Sequence, residues 1–148
     1  TLLPANATLN SALIDSTASP EGAAGDPMGF RFWSEDLNMP VDVRFLHVLQ
    51  GADPKVARTS SSLIVSTSGT PFEGTVAGNV AVLFKKDITT PFANVVFRVP
   101  LGTANTYVTG LAPLGGYTVK LKTETTKIRV TITSGGSLHA DEGGVLKL

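Results

Sequence analysis

Apolar and polar residues alternate along most of this chain with a period of two, and no segment keeps a helical period. The cleanest alternation runs through Tyr117–Lys122 (YTVKLK) and Lys127–Thr133 (KIRVTIT). Val119, Leu121, Ile128, Val130 and Ile132 point inward there, and Lys120, Lys122, Lys127, Arg129 and Thr131 point outward. The pattern predicts two half-exposed antiparallel neighbours. Phe72–Ala77 and Val80–Lys85, split by Gly78-Asn79, read as a hairpin. Thr8–Ile14, Met28–Trp33, Ser60–Ser66, Val95–Val99, Asn105–Thr109 and Val145–Leu148 read as further strands.

Asp42–Gln50 is expected to be the central strand. Val43, Phe45, His47 and Leu49 would share one face, and Arg44, Leu46, Val48 and Gln50 the other. Both faces are apolar in the middle, which suits a strand covered on both sides. Pro40 precedes it, and Gly51-Ala52-Asp53-Pro54 ends it.

These make about ten or eleven short strands with turn signals roughly every 8–12 residues, the pattern of a sandwich. The expected fold is therefore all-β: one antiparallel β-sandwich domain over residues 1–148, Ig- or fibronectin-like, with a loop-rich segment at 1–27. Its expected core is Phe45, Val48, Leu63, Val65, Val82, Phe84, Val96, Tyr117, Val119, Leu121, Ile128, Val130 and Ile132.

Composition narrows the function. The chain has 148 residues and is 42% hydrophobic, enough for a real core. Charged residues make up 16%, below the ~25% of average globular chains, and the net charge is zero. No basic run points to nucleic acid as a partner. No apolar run approaches the ~20 residues of a membrane helix. Cysteine is absent, so neither disulfides nor thiolate metal sites are expected. That absence suits a secreted or cell-surface bacterial protein. Thr1-Leu2-Leu3-Pro4 lacks the features of a signal peptide, and a start without Met favours a processed or excised segment.

Leu111, Pro113 and Tyr117, opening an alternating strand, resemble the tyrosine corner of fibronectin type III and immunoglobulin-like sandwiches. That resemblance implies a Tyr117 hydroxyl bonded to nearby backbone. A second resemblance is scattered over the chain: Leu2–Thr8 (LLPANAT), Phe30–Trp33 (FRFW), Arg44–Gln50 (RFLHVLQ) and Ala140–Leu146 (ADEGGVL). Together these look like the C-terminal β-sandwich region of secreted heparinase II/III-type polysaccharide lyases. In that family the chemistry sits on an α-helical toroid and an adjoining part of a sandwich. It uses a Tyr or His base and a group that neutralises the uronate carboxylate. No toroid is present here, so the resemblance implies the accessory end of such a protein, with polysaccharide or a catalytic domain of the same polypeptide as partner.

The candidate residues are surface chemistry, and no catalytic set is assigned. Trp33 and Tyr107, with Phe92 and Phe97 behind them, would stack on sugar rings; the plainer reading is core packing. Lys120, Lys122 and Arg129, with Lys127, would meet an acidic polysaccharide, or else simply keep a sheet face wet. Asp141 and Glu142, beside His139, would offer oxygen to calcium; a polar turn is the simpler reading, and no other cofactor is expected. Asp53, Asp87 and Asp141 would form a metal site only if the fold brought them together. His47 could serve as a base, yet it lacks an evident orienting partner, and packing near the core explains it as well. Asn6-Ala7-Thr8 fits the N-glycosylation pattern.

Three functions follow as expectations. The first is an accessory domain of an exported polysaccharide-degrading protein, which calls for an apolar docking face. The second is a free-standing carbohydrate-binding or adhesive module, which calls for exposed aromatics among polar groups. The third is a structural subunit assembling through edge strands, which calls for an uncovered edge.

Overall fold

A computed structural model describes residues 2–3, 7–13, 30–36, 38, 45–51, 53 and 55–148. They belong to two compact units, Leu2–His47 and Val48–Leu148.

The first unit holds β1 (Leu2–Leu3), β2 (Ala7–Leu13), β3 (Phe30–Asp36) and β4 (Leu46–His47). β1 pairs with β4, and β2 pairs with β3 over their full length, both antiparallel. Of the central strand expected at Asp42–Gln50, the described residues 45–50 are strand only at Leu46–His47, and Leu49 is 93% exposed. Just beyond His47 the chain makes a polar side-chain contact. The side chain of Gln50 accepts the Thr59 N–H at 2.8 Å and donates to the Thr59 hydroxyl at 3.3 Å. Asp42–Arg44 lie outside the described residues, as do Met28, Gly29 and Asn6.

The second unit holds β5 (Ser61–Val65), β6 (Ser68–Gly69), β7 (Phe72–Ala77), β8 (Val80–Lys85), β9 (Asn94–Pro100), β10 (Asn105–Thr109), β11 (Gly116–Thr123), β12 (Lys127–Ser134), β13 (Leu138–His139) and β14 (Leu146–Lys147). They form two five-stranded sheets that pack face to face as a β-sandwich. One runs β14-β10-β8-β7-β5 and the other β13-β11-β12-β9-β6. No helix occurs among the described residues. The pairing is antiparallel except for β10 against β8, which is parallel because β9 in the other sheet carries the chain back between them. The chain also crosses between the sheets from β5 to β6. Ser66 N–H bonds the Phe72 carbonyl at 2.9 Å, and the next amide, Thr67, bonds Val96 at 2.7 Å in the opposite sheet.

Phe72, Leu83, Val95, Phe97, Val108, Ile132 and Leu146 are fully buried between the sheets. Val96, Tyr117, Val130 and Ile132 are buried as expected. Phe45, Val48, Val82, Val119 and Ile128 are half-buried. Leu63, Val65, Phe84 and Leu121 are exposed instead. In β5 and β8 both faces are apolar, so alternation left the phase open, and the inward residues are Ile64 in β5 and Ala81, Leu83 and Lys85 in β8. Register decides this: Gly78-Asn79 closes the hairpin and sets Leu83 opposite Gly74, where a Cβ would collide with the Val82 carbonyl. Leu121 keeps the inward phase but is 63% exposed, because β13 flanks β11 only at Gly116–Tyr117.

Candidate polyanion-binding face

The face begins with alternation. Val130 and Ile132 of β12 are buried, so Lys127, Arg129 and Thr131 project from the other side of the sheet. In β9, Val95, Phe97 and Val99 are buried, so Arg98 projects outward. In β11 the outward residues are Lys120 and Lys122. The ladder then aligns them: Lys122 lies opposite Arg129, and Arg129 opposite Arg98. At the usual strand spacing this row of three cations spans about 10 Å between its outer Cα atoms. Lys120 flanks it on one side and Lys127 on the other.

Glu124, in the turn between β11 and β12, is the acidic group joined to this row. It accepts from Arg98 Nε at 2.8 Å and from Nη2 at 3.3 Å, and the Glu124 N–H bonds the Lys127 carbonyl at 2.8 Å. The Arg98 hydrogen bonds, helped by the charges of Arg98, Arg129 and Lys122, hold the Glu124 carboxyl below its ordinary range. The same contact raises Arg98. Both side chains are about one-third exposed, so the pair is water-screened. The outward positions of β11, β12 and β9 carry no aromatic ring. Recognition here would be electrostatic and hydrogen-bonding, without stacking.

The other candidates lie elsewhere. Tyr107, on the outer side of β10, is half-buried, and the Lys147 ammonium sits 5.8 Å from its ring centre. It shares a cross-strand row with Val82, Thr75 and Leu63. Phe97 is fully buried core, which removes it as a stacking surface. Phe92 is half-buried and packs edge-on against Phe72 and Tyr117, at 6.0 and 5.6 Å between ring centres. Trp33 pairs with Asn10 in the β2–β3 ladder, and its side chain lies outside the described residues. His47 is exposed, 3.3 Å from the Ser34 hydroxyl, with its ring stacked near that of Phe45.

Asp141 is a turn residue. Its Oδ1 accepts the N–H groups of Gly143 at 2.9 Å and Val145 at 2.8 Å, so this carboxylate is already committed to backbone. Glu142 beside it is exposed. Asp87 likewise binds its own loop, through the amide and hydroxyl of Thr89 and the hydroxyl of Thr90, and these bonds hold its carboxyl far below the usual range. Among the described residues no three His, Cys, Asp or Glu side chains gather as a metal site.

The Leu111–Tyr117 corner borders a cleft of ≈ 490 Å³ whose walls include Lys85, Phe92, Leu111, Tyr117 and Ser134. The Tyr117 hydroxyl accepts the Ala112 N–H at 2.9 Å. Leu111 is buried and its N–H bonds the Gly144 carbonyl at 3.2 Å, while Pro113 is exposed on the turn. Lys85 is buried and its ammonium donates to the Thr90 carbonyl.

No family model, curated protein or solved structure matches this chain. The functional reading therefore rests on surface chemistry. Arg98 is the residue that the sequence reading missed on the cationic face. Its signal was present in the VVFRV alternation, which turns the arginine to the outside. What stayed hidden was the β9–β12 pairing that sets it beside Arg129.

Proposed function

We propose that this chain is a non-catalytic accessory β-sandwich of an exported, heparinase II/III-like polysaccharide-degrading protein, and that it holds acidic polysaccharide on the outer face of β11, β12 and β9. The carrying observation is the cross-strand row Lys122–Arg129–Arg98 with Lys120 and Lys127 around it. A flat, cation-lined strip suits a linear anionic chain, since successive carboxylates or sulfates can meet successive cations without a deep pocket.

Isothermal calorimetry against uronate-containing, sulfated and neutral oligosaccharides tests this, with a DNA duplex as a polyanion of another class. Saturable heat with an acidic glycan, lost in Lys122→Ala and Arg129→Ala but kept in Tyr107→Ala, is the expected result. Equal binding of DNA would make the face a general polyanion surface. No heat from any acidic glycan would remove the reading.

A second surface favours docking against a catalytic domain of the same polypeptide. The outer side of the β8 sheet presents Tyr107, Val82 and Leu63 in one cross-strand row and Phe84 and Val65 in the next. Leu63, Val65 and Phe84 are each more than 40% exposed. Leu63 and Val65 neighbour each other along β5, and Val82 and Phe84 along β8, with Thr75 and Glu73 of β7 between the two pairs. Exposed apolar side chains rimmed by polar groups form the kind of patch that a neighbouring domain covers.

A further inference from the structure

β5 closes one side of its sheet, and among the described residues no strand pairs with it beyond β7. The ladder fixes which of its backbone groups are used. Ser66 N–H bonds the Phe72 carbonyl, and Gly78 N–H bonds the Ser60 carbonyl, so the even-numbered residues of this stretch face β7. In an antiparallel ladder the N–H and C=O of one residue point to the same side, and successive residues alternate. The N–H and C=O groups of Leu63 and Val65 therefore point away from β7, along the sheet edge.

Sheet edges are ordinarily guarded by charge, proline, a bulge or short length. Three of the four edges here are short: β6, β13 and β14 are each 2 residues. β5 has 5 residues, Ser61-Ser62-Leu63-Ile64-Val65, with no charge and no proline. Leu63 and Val65 are 45% and 46% exposed.

We propose that β5 is a self-association edge, at which two copies of this chain pair antiparallel about a two-fold axis through Ile64. In that register Leu63 stands opposite the partner's Val65, and Val65 opposite the partner's Leu63. Each of these pairs exchanges two N–H···O bonds, and Ile64 meets the partner's Ile64 on the inner side as a close, non-bonded pair. A second copy is the occupant because the strand is complementary to itself in this register. Apolar meets apolar on both faces, and with no charge on the strand none is set against its like. The axis runs perpendicular to the sheet, so both copies turn the same side of the sandwich toward the same direction. Two cationic faces would then be presented together, and a long polyanion could bridge them.

Sedimentation equilibrium of the full chain from micromolar to millimolar concentration is the test, with Leu63→Lys and Leu63→Pro alongside. Proline at 63 removes an N–H that β7 does not use, and lysine at 63 sets charge at the edge. The expected result is a concentration-dependent dimer in the native chain and a monomer in both variants, with circular dichroism and melting close to native. Should the variants not fold, amide exchange in the native chain decides: protection of the Leu63 and Val65 amides must rise with concentration. A native chain that stays monomeric throughout, a dimer that persists in both folded variants, or exchange at 63 and 65 that ignores concentration would overturn the proposal. A monomer that takes up an added strand-forming peptide would also overturn it, by making the edge a site for foreign strands.

Discussion

The hydroxyl of Tyr117 accepts the backbone N–H of Ala112 at 2.9 Å, tying the start of β11 to the turn that precedes it. Tyr117 is 3% exposed, and its ring packs edge-on against Phe92. Phenylalanine would keep the ring and the packing and leave the Ala112 N–H without this acceptor. Tyr117→Phe should therefore cost about 1 kcal/mol of folding stability, a net hydrogen bond, and lower the melting temperature by a few degrees. Thermal unfolding measures it. An unchanged melting temperature would mean that water takes over the acceptor role at no cost.

The same turn carries a strained residue. Leu114 has φ 57°, in the left-handed region that a side chain such as leucine rarely adopts, and it is exposed. Its N–H bonds the Asp141 carbonyl at 3.1 Å, and Gly115 N–H bonds the Ala112 carbonyl at 3.0 Å, so the surrounding turn holds it there. Asparagine tolerates this region better. Leu114→Asn should stabilise the fold by roughly 0.5–1 kcal/mol, seen as a rise in the urea midpoint with an unchanged slope. A lower midpoint would show that Leu114 makes contacts worth more than its strain.

Two leucines at inward-phase strand positions should behave oppositely. Leu83 is fully buried, whereas Leu121 is 63% exposed at the margin of its sheet. Leu83→Ala should cost about 2–5 kcal/mol through lost burial and a cavity, and Leu121→Ala about 0.5 kcal/mol or less. Guanidinium unfolding of both variants separates them. Equal losses would mean that β11 is covered along its whole length.

That contrast marks what the chain alone discloses. The positions of β5, β7 to β12 and β14 follow from alternation and turn residues, and so does the antiparallel β11–β12 pair with Lys120, Lys122 and Arg129 outward; the two-residue strands β6 and β13 do not. In β5 and β8 alternation could not choose between two apolar faces. Hairpin register chose, which turned Leu63, Val65 and Phe84 outward and buried Lys85. At Asp42–Gln50 local apolar content promised a strand, but a strand needs a neighbour along its length, and among the described residues only Leu46–His47 has one, in Leu2–Leu3. Long-range partners such as Arg98 beside Arg129 and β10 beside β8 depend on pairings that short-range pattern does not encode.

Glu124 sets the pH response of the cationic face. Its carboxyl lies below the ordinary range because Arg98 hydrogen-bonds it and Arg129 and Lys122 add their charge. A depressed folded value means that this contact stabilises the protein fully above the unfolded glutamate value of about 4.3, and that its contribution fades as pH falls through the folded value. Protonation also removes the acidic group of the row and releases Arg98 for a ligand. The two effects then have opposite signs in acid: stability falls while affinity for a sulfated glycan, which keeps its charge, rises. Glu124→Gln should reproduce the affinity gain at neutral pH, and the gain should shrink as salt screens the face. Calorimetric titration of native protein and Glu124→Gln at two pH values and two salt concentrations measures this. Equal affinity of the two proteins at neutral pH and low salt would show that Arg98 and its neighbours do not bind the glycan.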